Sequence, residues 1–208
     1  MKRLAVGLLA VVLLSSAPVA GAVERPVYGI HAQGDWATAS FQQLPTEGAC
    51  FAVYPWVAFY AGDRAAELGS GRPWSWSDVS VGLTIYDTCA EGALRYDLYG
   101  WVPVPPTMAS LDIAIVDDAV VYLEDRDGNR INAVVDLAWV GGSDPRIQPV
   151  NDPDHGRHGM ERVVNAGLSG TLTFSGGNLT WPGMRAFTPA DAISVEMGKF
   201  HWNQVLRW

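Results

Sequence analysis

The sequence is poor in charged side chains, and acidic residues outnumber basic ones. Charged residues make up 17% of the 208-residue chain, and 14 basic against 22 acidic side chains give a formal net charge of −8 at pH 7. This balance excludes a nucleic-acid-binding protein with a basic surface, because phosphate would be repelled. With 49% hydrophobic and 11% aromatic residues, the composition also excludes an intrinsically disordered chain.

The sequence also lacks the motifs of common catalytic sites. It contains no G-x-S-x-G, H-E-x-x-H, P-loop or G-x-G-x-x-G pattern. No window shows an apolar repeat of the helical period over ten residues or more. A non-enzymatic function is therefore favoured over an enzymatic one, and no cofactor is expected.

The first 22 residues have the pattern of a secretory signal peptide. Met1-Lys2-Arg3 is a short basic region, and an uncharged apolar run, Leu4–Leu14, follows it. Ala20-Gly21-Ala22 supplies the small residues that signal peptidase prefers, so the mature chain is predicted to begin at Val23. The apolar run is shorter than the about 20 residues that cross a bilayer. We therefore expect cleavage, a secreted or periplasmic location and no stable membrane insertion.

Cys50 and Cys89 are the only cysteines of the chain. In an oxidising compartment such a pair predicts a disulfide. The flanking segments, 49–60 and 79–89, are rich in β-branched and aromatic residues, which indicates two strands of a hairpin. Antiparallel pairing with residue numbers that sum to 139 places the two cysteines opposite each other. The other opposed pairs would then include Trp56 with Leu83 and Tyr60 with Val79.

The rest of the chain repeats the strand signal. Further strands are predicted over residues 36–43, 94–102, 111–116, 119–124, 131–140, 161–174 and 192–200. Residues 119–124 and 131–140 form a second hairpin, with numbers that sum to 256. About eight or nine strands separated by Gly, Pro and Asp turns predict one all-β domain over residues 23–208, an antiparallel β-sandwich or a partly closed β-barrel with one disulfide. Residues 23–33 are expected to be a leader segment, and residues 143–159 a mobile loop.

This pattern resembles a loose group of exported bacterial β-proteins without an assigned activity. The resemblance rests on the leader, one cysteine before a strand, a second cysteine at the end of its hairpin partner, and an alternating strand that ends near Trp139. It covers roughly residues 34–199. The resemblance implies the fold and carries no activity to this chain.

Aromatic residues gather on one face of the predicted sheet. When the first hairpin follows the sum of 139 and the next strand pair the sum of 182, one mixed face contains Tyr54, Trp56, Tyr60, Asp97, Tyr99 and Trp101. Such a face is typical of carbohydrate binding, because indole and phenol rings stack on the CH faces of sugars while carboxylates accept their hydroxyl groups. The alternative is that another layer of the protein covers these rings as core.

Two further features leave alternatives open. Trp74 and Trp76 lie near the end of the long hairpin loop, where they would contact a ligand or an envelope surface, or fold back over the end of the domain. His155 and His158 are flanked by carboxylates and are weak candidates for a metal site; the alternative is an exposed loop in which both are solvated.

The sequence therefore favours a non-catalytic binding protein or a structural component of the cell envelope, with a polysaccharide or an envelope component as its partner. One alternative is a secreted hydrolase whose carboxylates the sequence does not place. Another is an outer-membrane β-barrel, which is suggested by the alternating Phe200, Trp202, Leu206 and Trp208.

Overall fold

A computed structural model describes residues 27–45, 49–66, 74–90, 92–109, 111–152 and 156–207. The signal peptide predicted over residues 1–22, His155, Trp208 and the side chains of Trp74 and Leu206 lie outside the described residues. The strands are β1 (Val27–Phe41), β2 (Phe51–Ala66), β3 (Trp74–Asp87), β4 (Ala93–Pro103), β5 (Met108–Ala109), β6 (Ile113–Glu124), β7 (Arg130–Gly141), β8 (Arg146–Asp152), β9 (Arg157–Ser175) and β10 (Ala192–Arg207). A short 3₁₀ turn, Pro189–Asp191, precedes β10. The described segments contain no helix of the length and apolarity needed to cross a bilayer.

The strands form one antiparallel sheet that closes on itself as a ring. Hydrogen-bonded neighbours follow the order β10-β1-β2-β3-β4-β6-β7-β9, and β9 pairs in turn with β10. β8 pairs with β9, and β5 pairs with β6. In the described part of the chain, β4 and β6 are joined by a single bridged pair, Tyr99 with Glu124. The prediction of an all-β fold with one disulfide is confirmed.

The main hydrophobic core lies inside the ring, because alternate residues of each strand point inward. Its largest fully buried side chains include Phe41, Phe59, Leu83, Ile85, Leu98, Leu123, Ile131, Leu137, Trp139 and Leu172. Trp139 on β7 donates its indole N–H to the backbone carbonyl of Thr38 on β1, at 3.0 Å. Since β7 and β1 are not neighbours in the ring, this bond connects strands that the sheet pairing leaves apart.

The first hairpin differs from the predicted register by one residue. Its residue numbers sum to 138, so that Trp56 pairs with Gly82 instead of Leu83. The Cys50–Cys89 disulfide is nevertheless present, with the two Cα atoms 5.1 Å apart. The N–H of Thr88 donates to the carbonyl of Cys50, and Cys89 lies in the turn that follows. The disulfide is therefore diagonal, which is why setting the cysteines opposite each other gave the wrong register.

The second hairpin is shifted by two residues, and its numbers sum to 254. A shift of two keeps every side chain on its face, so Val121 and Leu123 still point into the core. The segments predicted over 111–116 and 119–124 form one strand, β6, with an irregular pairing between Val116 and Ala119. Asp118 adopts a φ of 48° within that irregularity.

Two segments predicted to lie outside the sheet are strands. Residues 27–33 of the expected leader segment belong to β1 and pair with β10. Residues 146–152 of the expected loop form β8, and β9 begins within the same segment at Arg157. Proline and charged side chains gave β8 the composition of a loop, but both are also typical of a strand at the margin of a sheet.

Candidate functional site: an aromatic face and cleft

The structure brings the six residues predicted for the binding face together on the outer face of β2, β3 and β4. They are Tyr54, Trp56 and Tyr60 on β2, and Asp97, Tyr99 and Trp101 on β4. The register of β3 with β4 also differs by one from the prediction, with numbers that sum to 181. The two errors cancel across β3, so Trp56 and Tyr99 lie in the same row, with ring centroids 5.9 Å apart.

Three of these rings are open to solvent. Trp101 is 60% exposed, Tyr99 51% and Trp56 36%. The alternative in which another layer of the protein covers them does not hold for these three. Polar groups lie between the rings, since the hydroxyls of Ser80 and Tyr99 are 3.1 Å apart and Thr84 donates to Asp97 at 3.1 Å. We call Trp56, Tyr99 and Trp101 the open aromatic face.

Glycines allow two indole rings to lie close to the sheet. Gly82 is the cross-strand partner of Trp56, and Gly198 is the partner of Trp36. At both glycines an added Cβ atom would overlap Nε1, Cε2 and Cζ2 of the paired indole. Because three ring atoms approach the same backbone position, the face of each ring packs on the glycine, and this packing fixes the orientation of the ring.

The open aromatic face continues into a cleft of about 620 Å³ on the same side of the sheet. Its aromatic lining is Trp36, Tyr60, Trp76, Phe200 and Trp202. Its polar lining is Thr38, Asp78, Ser80, Gln148, Arg157 and Glu161. The ring centroids of Trp76 and Phe200 are 6.1 Å apart, and the guanidinium of Arg157 lies 4.9 Å from the ring centroid of Trp202. The volume falls within the range of small-molecule sites, and the lining combines aromatic walls with polar groups.

Carboxylates influence the hydroxyl of Tyr60 in the cleft. Burial raises the pKa of Tyr60 above its usual value, and the negative charges of Asp78 and Glu161 raise it further. The phenol therefore stays protonated at neutral pH and is a hydrogen-bond donor. Glu161 accepts a hydrogen bond from Nε2 of Gln148 at 3.0 Å. The cleft thus offers both hydrogen-bond donors and acceptors between aromatic walls.

The remaining predicted site residues are distributed as follows. Trp76 is part of the cleft wall, whereas the side chain of Trp74 is outside the described residues. His158 lies exposed on β9, opposite Asn203 of β10. In the described segments, the one group of three close metal-ligand side chains is Cys50, Asp87 and Cys89. Both of its sulfurs are joined in the disulfide, so this group does not indicate a metal centre.

Asp87 has a structural role beside that disulfide. Its carboxylate accepts hydrogen bonds from the backbone N–H groups of Cys89 and Ala90, at 3.0 and 3.1 Å. Arg95 lies 3.3 Å from the same carboxylate. These contacts hold the turn between β3 and β4.

Sequence reasoning missed most of the cleft. Trp36, Phe200 and Trp202 contribute aromatic walls, and Asp78, Gln148, Arg157 and Glu161 contribute polar groups. The alternation of Phe200 and Trp202 was a visible signal. Only the pairing of β1 with β10, however, brings these residues beside Trp36, and no local pattern predicts such a long-range pairing.

No protein family model matches the chain, and no curated protein matches it. One similar solved structure is that of an acetoacetate decarboxylase-like enzyme from Sphingomonas wittichii RW1, at 12% sequence identity. The match covers 96% of this chain and 99% of that chain, with a TM-score of 0.25. A likeness this distant carries no argument about function.

Proposed function

We propose that this protein is a non-catalytic binding domain for an extended, neutral polysaccharide, which lies along the open aromatic face and enters the cleft. The observation that carries the proposal is the group Trp56, Tyr99 and Trp101, which is exposed and continuous with the cleft. Contiguous exposed aromatic surface is costly to solubility, and in soluble proteins it marks binding sites. Trp and Tyr rings are well suited to sugars because they combine a large apolar face with a polar edge.

The length of the aromatic track supports an extended ligand. In the strand registers, the rings occupy successive rows on the same face of the sheet. The rows contain Trp56 with Tyr99, then Trp101, then Trp36 with Tyr60, then Trp76 with Phe200. Rows are two residues apart, so four rows extend over about 20 Å along the strands. Several sugar rings are needed to cover that distance, which favours an oligosaccharide or polysaccharide over a monosaccharide.

The charges of the site support a neutral ligand. Asp78, Asp97 and Glu161 lie along the track, and Arg157 is the basic side chain of the cleft lining. The chain as a whole has a formal charge of −8. An anionic polysaccharide would be repelled by this field, whereas the hydroxyl groups of a neutral one can donate to the carboxylates.

The proposed setting is the cell envelope or the extracellular space. It relies on the signal peptide predicted over residues 1–22 and on the disulfide, which persists in oxidising compartments. A polysaccharide of the envelope, or one that the cell encounters outside, is then the natural partner. The domain would attach to that polymer and leave it intact.

The test is a binding assay with the mature, untagged protein and neutral polysaccharides, namely cellulose, xylan, mixed-linkage glucan and chitin, together with their oligosaccharides. Trp101→Ala removes an exposed ring of the track. Ile147→Ala is the control, because Ile147 is 70% exposed but alternates on β8 with Gln148 of the cleft lining and therefore points away from the cleft. We expect Trp101→Ala to weaken binding at least about tenfold, as the loss of an aromatic hot spot does. Ile147→Ala should bind as the wild type does, and both variants should keep the wild-type circular dichroism spectrum.

Affinity should also rise with oligosaccharide length until the track is covered. The amount of reducing sugar should stay constant during long incubation, since the domain is not proposed to cleave its ligand. The proposal is overturned if the folded wild type binds none of these polymers, or if both variants lose affinity equally. Release of reducing ends would overturn its non-catalytic part.

A further inference from the structure

A second group of polar side chains lies on the face of β1 and β10 opposite to the aromatic track. His31 pairs with Asn203, and Gln33 pairs with His201. These residues alternate along β10 with Phe200 and Trp202, so they point away from the cleft. The group is therefore separate from the proposed polysaccharide site.

Two imidazole rings meet in this group. The ring centroids of His31 and His201 are 4.6 Å apart, at an interplanar angle of 70°. Nδ1 of His31 lies 2.9 Å from Oδ1 of Asn203. A carbonyl oxygen only accepts, so this contact is a hydrogen bond in the tautomer that carries the proton on Nδ1, and in that tautomer Nε2 keeps its lone pair for a ligand.

We infer that His31 and His201 form a binding site for a divalent transition-metal ion of the kind that prefers imidazole, such as Cu²⁺ or Zn²⁺. Imidazole nitrogens are strong ligands for these ions. Histidine ligands of metals characteristically donate their other ring N–H to an acceptor, which fixes the tautomer and the ring orientation. Asn203 has this relation to His31 and is the positioning residue. Both histidines lie on paired strands, which hold ligands more rigidly than a loop does.

His158 provides an internal control for this site. It pairs with Asn203 from β9, whereas His31 pairs with Asn203 from β1. Asn203 on β10 therefore lies between His31 and His158. These three residues share one face of the sheet, and His158 is exposed there. Its removal deletes an imidazole close to the pair while leaving the pair and its acceptor in place.

The experiment is isothermal titration of the untagged full chain with CuCl₂, ZnCl₂ and MgCl₂ in a buffer that does not chelate metals. We expect one Cu²⁺ bound per chain, weaker binding of Zn²⁺ and no binding of Mg²⁺, in the order that imidazole ligands give. His31→Ala and His201→Ala should each lower Cu²⁺ affinity at least about tenfold, and Asn203→Ala should lower it by a similar factor. His158→Ala should stay within about twofold of the wild type, because the ring nitrogens of His31, His158 and His201 do not all lie within 4.8 Å of one another.

A second measurement reports on the geometry directly. In ¹⁵N-labelled protein, Zn²⁺ should shift the Nε2 resonance of His31, while its Nδ1 stays protonated. The inference is overturned if the folded wild type binds neither Cu²⁺ nor Zn²⁺, or if His158→Ala loses as much affinity as His31→Ala. It is also overturned if Zn²⁺ shifts Nδ1 of His31 instead of Nε2. None of these results depends on polysaccharide binding, so the two proposals are tested separately.

Discussion

Gly82→Ala should disturb both stability and the open aromatic face, because the glycine lies beneath the indole of Trp56. The added Cβ would overlap three atoms of that ring, so the ring must leave the strand. Trp56 is 36% exposed, which leaves about 160 Å² of a tryptophan surface of about 250 Å² packed against the protein. At about 25 cal/mol per Å², losing that contact lowers the free energy of unfolding by about 4 kcal/mol. The lower conformational entropy that alanine gives the unfolded chain offsets about 0.5–1 kcal/mol, so we expect a net destabilisation of about 3–3.5 kcal/mol.

The assay is urea unfolding followed by circular dichroism, in the wild-type background and in a Trp56→Ala background. Without the indole, the alanine at position 82 has space, so Gly82→Ala should become neutral or stabilise by about 0.5–1 kcal/mol. Gly167→Ala is the matched control in β9, since its Cβ would meet the carbonyl oxygen of Val140 at an ordinary 3.8 Å. It should not destabilise. Equal effects of Gly82→Ala in both backgrounds would refute the packing of the ring on the glycine.

Two further perturbations test the fold. Removing the disulfide with Cys50→Ser and Cys89→Ser should lower the free energy of unfolding by about 4 kcal/mol, since the bridge joins residues 39 positions apart. A urea unfolding curve that does not change after complete reduction of the wild type would contradict this expectation. Arg185 and the N–H of Thr188 bind the carboxylate of Asp191 and lower its pKa from 3.8 to about 2. This stabilisation is complete above pH 3.8 and is lost as the pH falls to 2. Asp191→Asn should therefore lower the free energy of unfolding by about 1–2 kcal/mol at pH 7 and change it very little near pH 2. A cost that does not change with pH would show that the charge is not involved.

The aromatic face could be predicted from the sequence because it depends on alternation more than on register. Trp56 and Tyr99 share a row in the predicted and in the observed sheet, since an error of one residue on each side of β3 cancels. The side chains of β3 itself were assigned to the wrong face for the same reason. A shift of one residue moves every side chain of a strand across the sheet, so Gly82 replaces Leu83 opposite Trp56.

The cleft could not be predicted, because it is assembled by long-range pairing. Glu161 and Arg157 reach it from β9, and Gln148 reaches it from β8. The sequence around Gln148 and Arg157, with proline, glycine and several charges, is typical of a loop, and pairing between β8 and β9 makes both residues part of strands. Glu161 begins a segment predicted as a strand, but no local pattern places that strand beside the cleft. The histidine pair was missed for the same reason, since His31 and Asn203 are 172 residues apart in the chain.

The pairing of β1 with β10 also determines when folding can finish. β1 to β4 are neighbours in chain order, so each can pair with its predecessor as soon as it emerges from the ribosome. The other edge of β1 stays unpaired until β10 has been made, and until then it can pair with strands of other chains. Contacts between such distant segments form slowly, so the chain stays open until its last strand has been made.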